Sequence, residues 1–545
     1  MFETLKKAAM HVSSQQEQIP GTVANSAGGY SFSVDNWEQF KRFLILGTTG
    51  GTYYISEKEL TKDNLDAVRA CIHEDGKRAV DLIVQVSHEG RAPKNDPAIF
   101  ALALAVSAAS PDTRAYALQQ LSRVCRTFTH VSHFMTFVRQ GNMRGMGPQF
   151  CRALAAWFDM KPVPQVVNQL IKYGSRDGYS QKDVYRLAHP RNWSNIGQNT
   201  ARDVVYKRIV TDKPISEDTD IGGNEDEHDA IIRLIAHDVV QKGQSLLFSS
   251  EYSIPGVVKQ HKLPMESVPT DKRTPEVYAA VIPHSGITWL LRNLGNIAKH
   301  DLNQNTVLRK LIAERLTDRT EIKNGRLHPL NIFVAMKTYS SGTGVKGSGK
   351  WTPHRDILDA LDFAFYESFV HLPLIEKRIL YAVDTSASMT ALASGTPNVK
   401  CTEAAAVMAM AAAKVTSEFD LIGFDTSIEE LNGVSHRQRL DDIVKEFGKH
   451  PAGTDCSLPF KYARDKRREY DLIVSFTDSE TWAGKQHPLH AFDAYKQAGY
   501  APKCKAVNVA MTANHFTVLP VRPDTLEIVG FDTTVPEAIS LFANS

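Results

Sequence analysis

The sequence predicts a multidomain chain, with an α-solenoid of helical repeats leading into an α/β doubly wound domain. Three observations predict it. At 545 residues the chain is too long for one compact core. From about Asp63 to His371, apolar residues recur at helical spacing in short runs broken by Pro, Gly and Asp. Beyond about residue 372 the pattern becomes continuous apolar strands alternating with helices.

Residues 1–30 are polar and Gly/Ser-bearing and read as a flexible N-terminal arm. The block Gly28–Thr61 carries aromatic and β-branched clusters suited to short strands or a clasp. Within a helical-repeat domain of 31–371, the spacing predicts helices at Asp63–His73, Arg78–Val86, Pro97–Ala109, Asp112–Cys125, Val131–Arg139, Pro148–Phe158 and Val163–Tyr173. Others follow at Asp229–Val240, Val277–Val281, Thr306–Glu314 and His354–Val370. No clean sequence period emerges, so any repeats are degenerate. A solenoid is still favoured, because a helical run of this length is hard to bury around one core.

The domain 372–545 reads as strands Ile379–Val383, Asp420–Phe424, Tyr470–Phe476, Lys505–Ala510 and Thr525–Val529. Helices are expected between them at Thr402–Ser417, Gln438–Gly448, Leu458–Glu469 and Leu489–Ala498, with a last one at Val535–Phe542. Strands without polar alternation argue for a mostly parallel sheet covered on both faces.

Composition narrows the classes of function. Hydrophobic content of 42% and charged content of 23% suit a soluble globular protein. The first residues hold no apolar signal segment, and no apolar run is long enough to span a bilayer. Six cysteines are scattered without a CxxC pair, which predicts a reducing compartment: cytoplasm, with the nucleus as a second location. The net charge of +2 conceals an asymmetry. Leu121–Val210 holds 14 Lys/Arg against 4 Asp/Glu, whereas Leu361–Ser545 holds 18 against 24. The first region is built to meet polyanions.

Two acids close apolar strands in the α/β region, Asp384 after ILYAV and Asp478 after LIVSFT. Ligands collect at this edge of an open α/β sheet. Ser386 and Ser388 follow Asp384 at i+2 and i+4, and Thr454 lies on the loop PAGTDCSLP. Carboxylates joined by neutral hydroxyls suit a hard divalent cation, magnesium first and manganese as the alternative. Helix capping would explain each residue singly but not three segments together. A phosphatase of the haloacid dehalogenase type would need a second Asp where Ser386 stands. A phosphate loop is hinted at by Gly344–Lys350, but Trp351 replaces the metal-binding Ser/Thr. No nucleophile–base pair stands out, so the chain reads as a non-enzyme.

The basic region offers Arg123, Arg126, His130, Arg139 and Arg144, then Lys172, Arg176, Lys182, Arg186, His189 and Arg191. Aromatic residues are interleaved among them. Cations neutralise phosphates and rings stack on unpaired bases. His130 and His133 read either as satisfied or as RNA-facing histidines.

DTSASM, AGTD and FTDSE resemble the three segments of the metal-ion-dependent adhesion site of von Willebrand factor A domains. That resemblance implies coordination by Asp384, Ser386, Ser388, Thr454 and Asp478, completed by a partner protein's carboxylate. Over essentially the full chain, the Gly28–Tyr54 block, the helical array, KYGSRDGYSQKDVYRLAHP and the A-type domain resemble the TROVE-domain family of Ro ribonucleoproteins. The family resemblance implies a closed ring of HEAT-like repeats and a monomer. It implies binding of small noncoding Y RNAs and of single-stranded 3′ ends of misfolded RNAs. Lys172, Arg176 and His189 are the contacts it carries over. The rival readings are a metal-dependent protein-interaction module and an RNA-processing metalloenzyme.

Overall fold

The structure, a computed structural model, describes residues 13–48, 56–92, 94–107, 110–140, 147–190, 200–216, 219–242, 253–325, 327, 329–344, 349–368, 374–393, 399–430, 452–530 and 534–544. Helices fill the span from Asn36 to Glu367, and an α/β unit follows.

The helical series begins earlier than the sequence suggested. Asn36–Leu46 is a helix, capped by Asp35, whose carboxylate accepts from the Glu38 N–H at 2.8 Å. Phe40, Phe43, Leu44 and Phe43's neighbours up to Leu46 are buried, and this aromatic density disguised a helical face as strand. Helix Glu57–Glu74 extends the expected Asp63–His73 by almost two turns, because Ser56 and Glu59 close a capping box. The expected Asp112–Cys125 divides into Pro111–Gln119 and Leu121–Val124. Helices Thr200–Thr211, Ile254–Gln260, Ile287–Ala298 and Pro329–Ser340 are further members of the series. Helix Asn36–Leu46 packs on Glu57–Glu74, Glu57–Glu74 on Gly76–Glu89, and Gly76–Glu89 on Asp96–Val106. Each helix thus buries its apolar face against near neighbours in sequence.

Among the described residues, the main sheet of the α/β unit has six strands: β3 (Ile375–Asp384), β4 (Thr416–Phe424), β5 (Ile428–Glu430), β6 (Leu472–Thr477), β7 (Lys505–Ala510) and β9 (Thr525–Val529). Their order is β5-β4-β3-β6-β7-β9. All pairs are parallel except β4–β5 at the edge. β6 is buried throughout, as its run LIVSFT requires. The chain moves outward from β3 to β4 and then returns to the other side of β3 with β6. The ends of β3 and β6 therefore border the crevice where strand order reverses. The expected helix Gln438–Gly448 lies outside the described residues.

Within the expected N-terminal arm, residues 13–30 are not loose. β1 (Thr22–Ala24) pairs with β2 (Tyr30–Ser33), and β2 pairs with β8 (Phe516–Thr517) of the α/β unit. Gln15 and Ser31 are fully buried there. Gln15 donates from Nε2 to Asp455 Oδ1 and to the Gln486 carbonyl, and the Ser31 hydroxyl donates to the Ser479 carbonyl. Buried side-chain bonds replace the apolar signal that a sequence reader looks for.

The α/β unit touches both ends of the helical series. On one side Arg42 reaches Glu527, Asn64 donates to the Ala513 carbonyl, and Arg91 to the Val529 carbonyl. On the other, Lys337 pairs with Glu403, and the Lys414 ammonium lies over the Tyr366 ring.

Candidate functional site

The metal-type residues converge where the strand order predicts. β3 ends at Asp384 and β6 at Thr477, so Asp384 and Asp478 face one another across adjacent strand ends. Asp384 Oδ1 accepts from the Ser386 N–H at 2.9 Å, and its Oδ2 accepts from the Thr477 hydroxyl. The Ser386 and Ser388 hydroxyls are 3.1 Å apart, and Ser388 also bonds Asp478. Ser386 sits at the N-cap of the short turn Ala387–Thr390, yet its side chain makes no capping bond. Its hydroxyl bonds the Asp384 carboxylate instead.

Electrostatics there are unfavourable without a cation. Asp384, Ser386, Ser388, Thr454 and Asp478 are all at most 3% exposed. Burial pushes the Asp384 carboxyl up, and the Asp478 charge adds to it; burial pushes Asp478 up as well. The Thr454 hydroxyl is enclosed with no hydrogen-bond partner among the described residues. A buried hydroxyl ordinarily finds a partner. Among the described residues, no three or more His, Cys, Asp or Glu side chains are grouped to hold a metal. Two carboxylates and three hydroxyls fit a hard divalent ion that keeps part of its water shell.

Glu480 closes the motif FTDSE. It is fully buried, and burial followed by the Asp478 charge pushes its carboxyl up to about 8. The Asn514 amide holds it, donating to Glu480 Oε1 at 3.1 Å and to the Asp478 carbonyl at 2.8 Å. Glu480 Oε2 has no partner among the described residues. Its place two residues after Asp478 was the available signal.

The basic residues fall into three groups. Lys172, at the end of helix Val163–Lys172, and Arg176, on the following turn, are exposed. Helix Gln181–Ala188 presents an exposed Arg186 and a half-buried Lys182, and His189 caps its C-terminus in a left-handed conformation (φ 48°). None of these four Lys and Arg side chains has a salt-bridge partner among the described residues, and Arg139 is likewise exposed. A second group holds two arginines that are also exposed but bonded to their own fold. Arg126 donates to both the carbonyl and the hydroxyl of Ser87 at 3.0 Å, while Arg123 donates to Gln120. The His130 ring is half-buried, and burial with the Arg126 charge pushes it down to about 4, so the ring is neutral. His133 is satisfied by Asp96 and Asp177. Arg144 and Arg191 lie outside the described residues.

A helical array joined to an α/β unit with this oxygen-lined crevice defines a TROVE-type protein carrying a von Willebrand factor A domain. The TROVE domain profile matches residues 23–226 and 261–339, and the Ro60 vWA domain profile matches 378–543. The RNA-binding protein RO60 of Deinococcus radiodurans is 34% identical over 537 residues, covering 96% of this chain and 95% of its own. That of Caenorhabditis elegans is 29% identical over 596 residues, covering 97% and 91%. The crystal structure of the Deinococcus radiodurans RO (RSR) protein superposes with a TM-score of 0.68 at 32% identity, covering 93% of this chain and 99% of that one. The chain belongs to the Ro60 family. Among its described residues, no helix is long and apolar enough to cross a membrane.

Proposed function

We propose that this chain is the RNA-binding scaffold of a ribonucleoprotein, monomeric and working in the cytoplasm and the nucleus. It takes small noncoding RNAs of the Y class on its basic helical face and the single-stranded 3′ ends of misfolded noncoding RNAs, and so serves RNA stability and quality control. The carrying observation is the run of exposed, unpaired cations at Lys172, Arg176 and Arg186 beside His189, on a member of a family whose relatives are named RNA-binding proteins. Solvated cations held on rigid helices are what phosphate neutralisation needs. The A domain's contacts with both the first and the last helices support a HEAT-like array closed into a ring, with domains near 31–371 and 372–545. The test is a gel-shift titration of a structured RNA with a single-stranded 3′ tail against the same RNA without it. The wild type binds both in a salt-sensitive way and prefers the tail; K172A/R176A/H189A loses that affinity. Binding unaffected by the mutations would overturn the reading.

A second reading is favoured by the orphaned Thr454 hydroxyl: Asp384, Ser386, Ser388, Thr454 and Asp478 hold magnesium, or manganese, for a protein partner. The cation would supply positive charge and open coordination for a partner carboxylate. With five residues this deeply buried, that partner must first part the loops around them. For a scaffold, RNA stays intact on long incubation with Mg²⁺; cleavage lost in D384A would make the protein a metalloenzyme.

A further inference from the structure

Helix stacking brings together residues that the basic stretch did not include. Lys172 and Tyr173, Arg233 on helix Glu225–Lys242, Lys262 just past helix Ile254–Gln260, Glu266 in the turn Met265–Ser267, and Trp289 on helix Ile287–Ala298 border one hollow of about 430 Å³. We propose that this hollow is a pocket for a single unpaired ribonucleotide of a bound RNA. The base lies against Trp289, and the flanking phosphates meet Lys172, Arg233 and Lys262. The assignment rests on the RNA-binding reading above and extends it to residues 60 to 120 positions further along the chain, about the distance from Lys172 to Trp289.

Four features of the hollow carry the assignment. Its volume lies in the range of roughly 300–1,000 Å³ typical of small-ligand sites. Its charge is one-sided. The Lys172 and Lys262 ammonium groups have no hydrogen-bond or salt-bridge partner among the described residues. Arg233 is fixed by bonds to Asn168 Oδ1 at 3.0 Å and the Lys262 carbonyl at 3.2 Å, and its Nε is enclosed without a partner. At Tyr173, burial and then the Glu266 carboxylate push the hydroxyl up, against the charges of Arg292 and Arg176. Trp289 is half-buried, so its ring is held while part of it stays open, and its indole N–H has no protein partner among the described residues. A fixed aromatic platform ringed by cations is the arrangement that receives a splayed base and its phosphates; bases stacked inside a duplex cannot enter such a hollow. His284 at the wall adds no charge. Burial pushes it down, and its Nε2 bonds the Leu263 carbonyl at 2.9 Å.

The test uses the full chain and a single-stranded RNA carrying one 4-thiouridine, cross-linked by light and mapped by peptide mass spectrometry. The expected cross-links fall within residues 281–292 or at Tyr173. Affinities are then compared for wild type, W289A, W289F, K262A and the remote control K58A, each first shown to be folded at the assay temperature. W289A is expected to bind the single strand about fivefold or more weakly, with W289F close to wild type and duplex affinity unchanged. K262A is expected to lower the slope of log affinity against log salt by about one. If wild type binds RNA but W289A and K262A match K58A, or the cross-links fall elsewhere, the pocket is wrong and the RNA reading survives. If wild type binds no RNA, both fail.

Discussion

Arg42 and Glu527 meet 2.5 Å apart across the junction of the first helix and the last sheet strand, with Arg42 fully buried. Arg42 also donates to the Asn514 and Phe516 carbonyls, and Glu527 accepts from Asn508 and Thr517. Asn508 in turn donates to Ser479, the neighbour of Asp478. One polar network therefore ties the helical series to the loop bearing the metal-type carboxylates.

Removing one partner of a buried pair strands the other, so R42A should cost about 3–5 kcal/mol. Even beside Arg42, burial pushes the Glu527 carboxyl up to about 7. Without Arg42 the folded state holds a proton that the unfolded chain releases above its ordinary carboxylate range. The R42A defect should therefore grow as pH rises from 6 to 8. Urea unfolding at both values checks this, and R42M/E527L should recover most of the loss.

Thr454 offers a sharper test of the cation than removal of an acid. Thr454→Val keeps the shape and discards an enclosed hydroxyl that lacks a partner. Without metal its melting temperature should equal or exceed wild type. Wild type at a Mg²⁺ concentration of 100 Kd should gain about 2.7 kcal/mol, and the variant should lose much of that gain. Calorimetric scans with Mg²⁺ and with chelator read both effects.

His487 clasps the N-terminal strands. Its Nδ1 accepts from the Leu489 N–H at 3.3 Å, leaving Nε2 to donate to the Tyr30 carbonyl at 3.3 Å, and burial pushes the ring down to about 4. The folded state thus prefers the neutral ring. Its stabilisation is complete above the ordinary histidine range near 6.5 and is lost as pH falls from there through 4. Limited proteolysis should release the N-terminal segment faster at pH 5 than at pH 7.5, and H487Q should flatten that dependence.

Among the basic residues, charge alone does not set the role. K172A/R176A should weaken RNA binding and lower the salt slope by about two, without loss of stability. R126A should do the reverse: its guanidinium is spent on Ser87, so stability falls by about 1 kcal/mol while the salt slope stays. Salt-titrated binding and thermal melts of both variants separate the two outcomes.

The oxygen-lined crevice was legible because each of its segments is contiguous. An acid closing an apolar strand, with hydroxyls two and four residues on, predicts a sheet-edge ligand set wherever the strands lie. Glu480 stood in view two residues after Asp478, but only burial reveals its unpaired oxygen. The pairs Gln15–Asp455 and Arg42–Glu527 were illegible, because local spacing holds no trace of a partner more than four hundred residues away. Helix Asn36–Leu46 was obscured by aromatics that suit strands as well as helices. Arg233, Lys262 and Trp289 are isolated in sequence and become a group only when helices stack.

Strand β2 waits a long time for β8. About 480 residues separate Ser33 from its partner Phe516. A ribosome adding roughly 5–20 residues per second needs about 25–100 s to make them. Throughout that interval the emerging hairpin has an open edge, able to pair with other chains. The C-terminal domain can be completed only after nearly the whole polypeptide is synthesised, so premature termination leaves the clasp without its dock and marks a truncated product as unfinished.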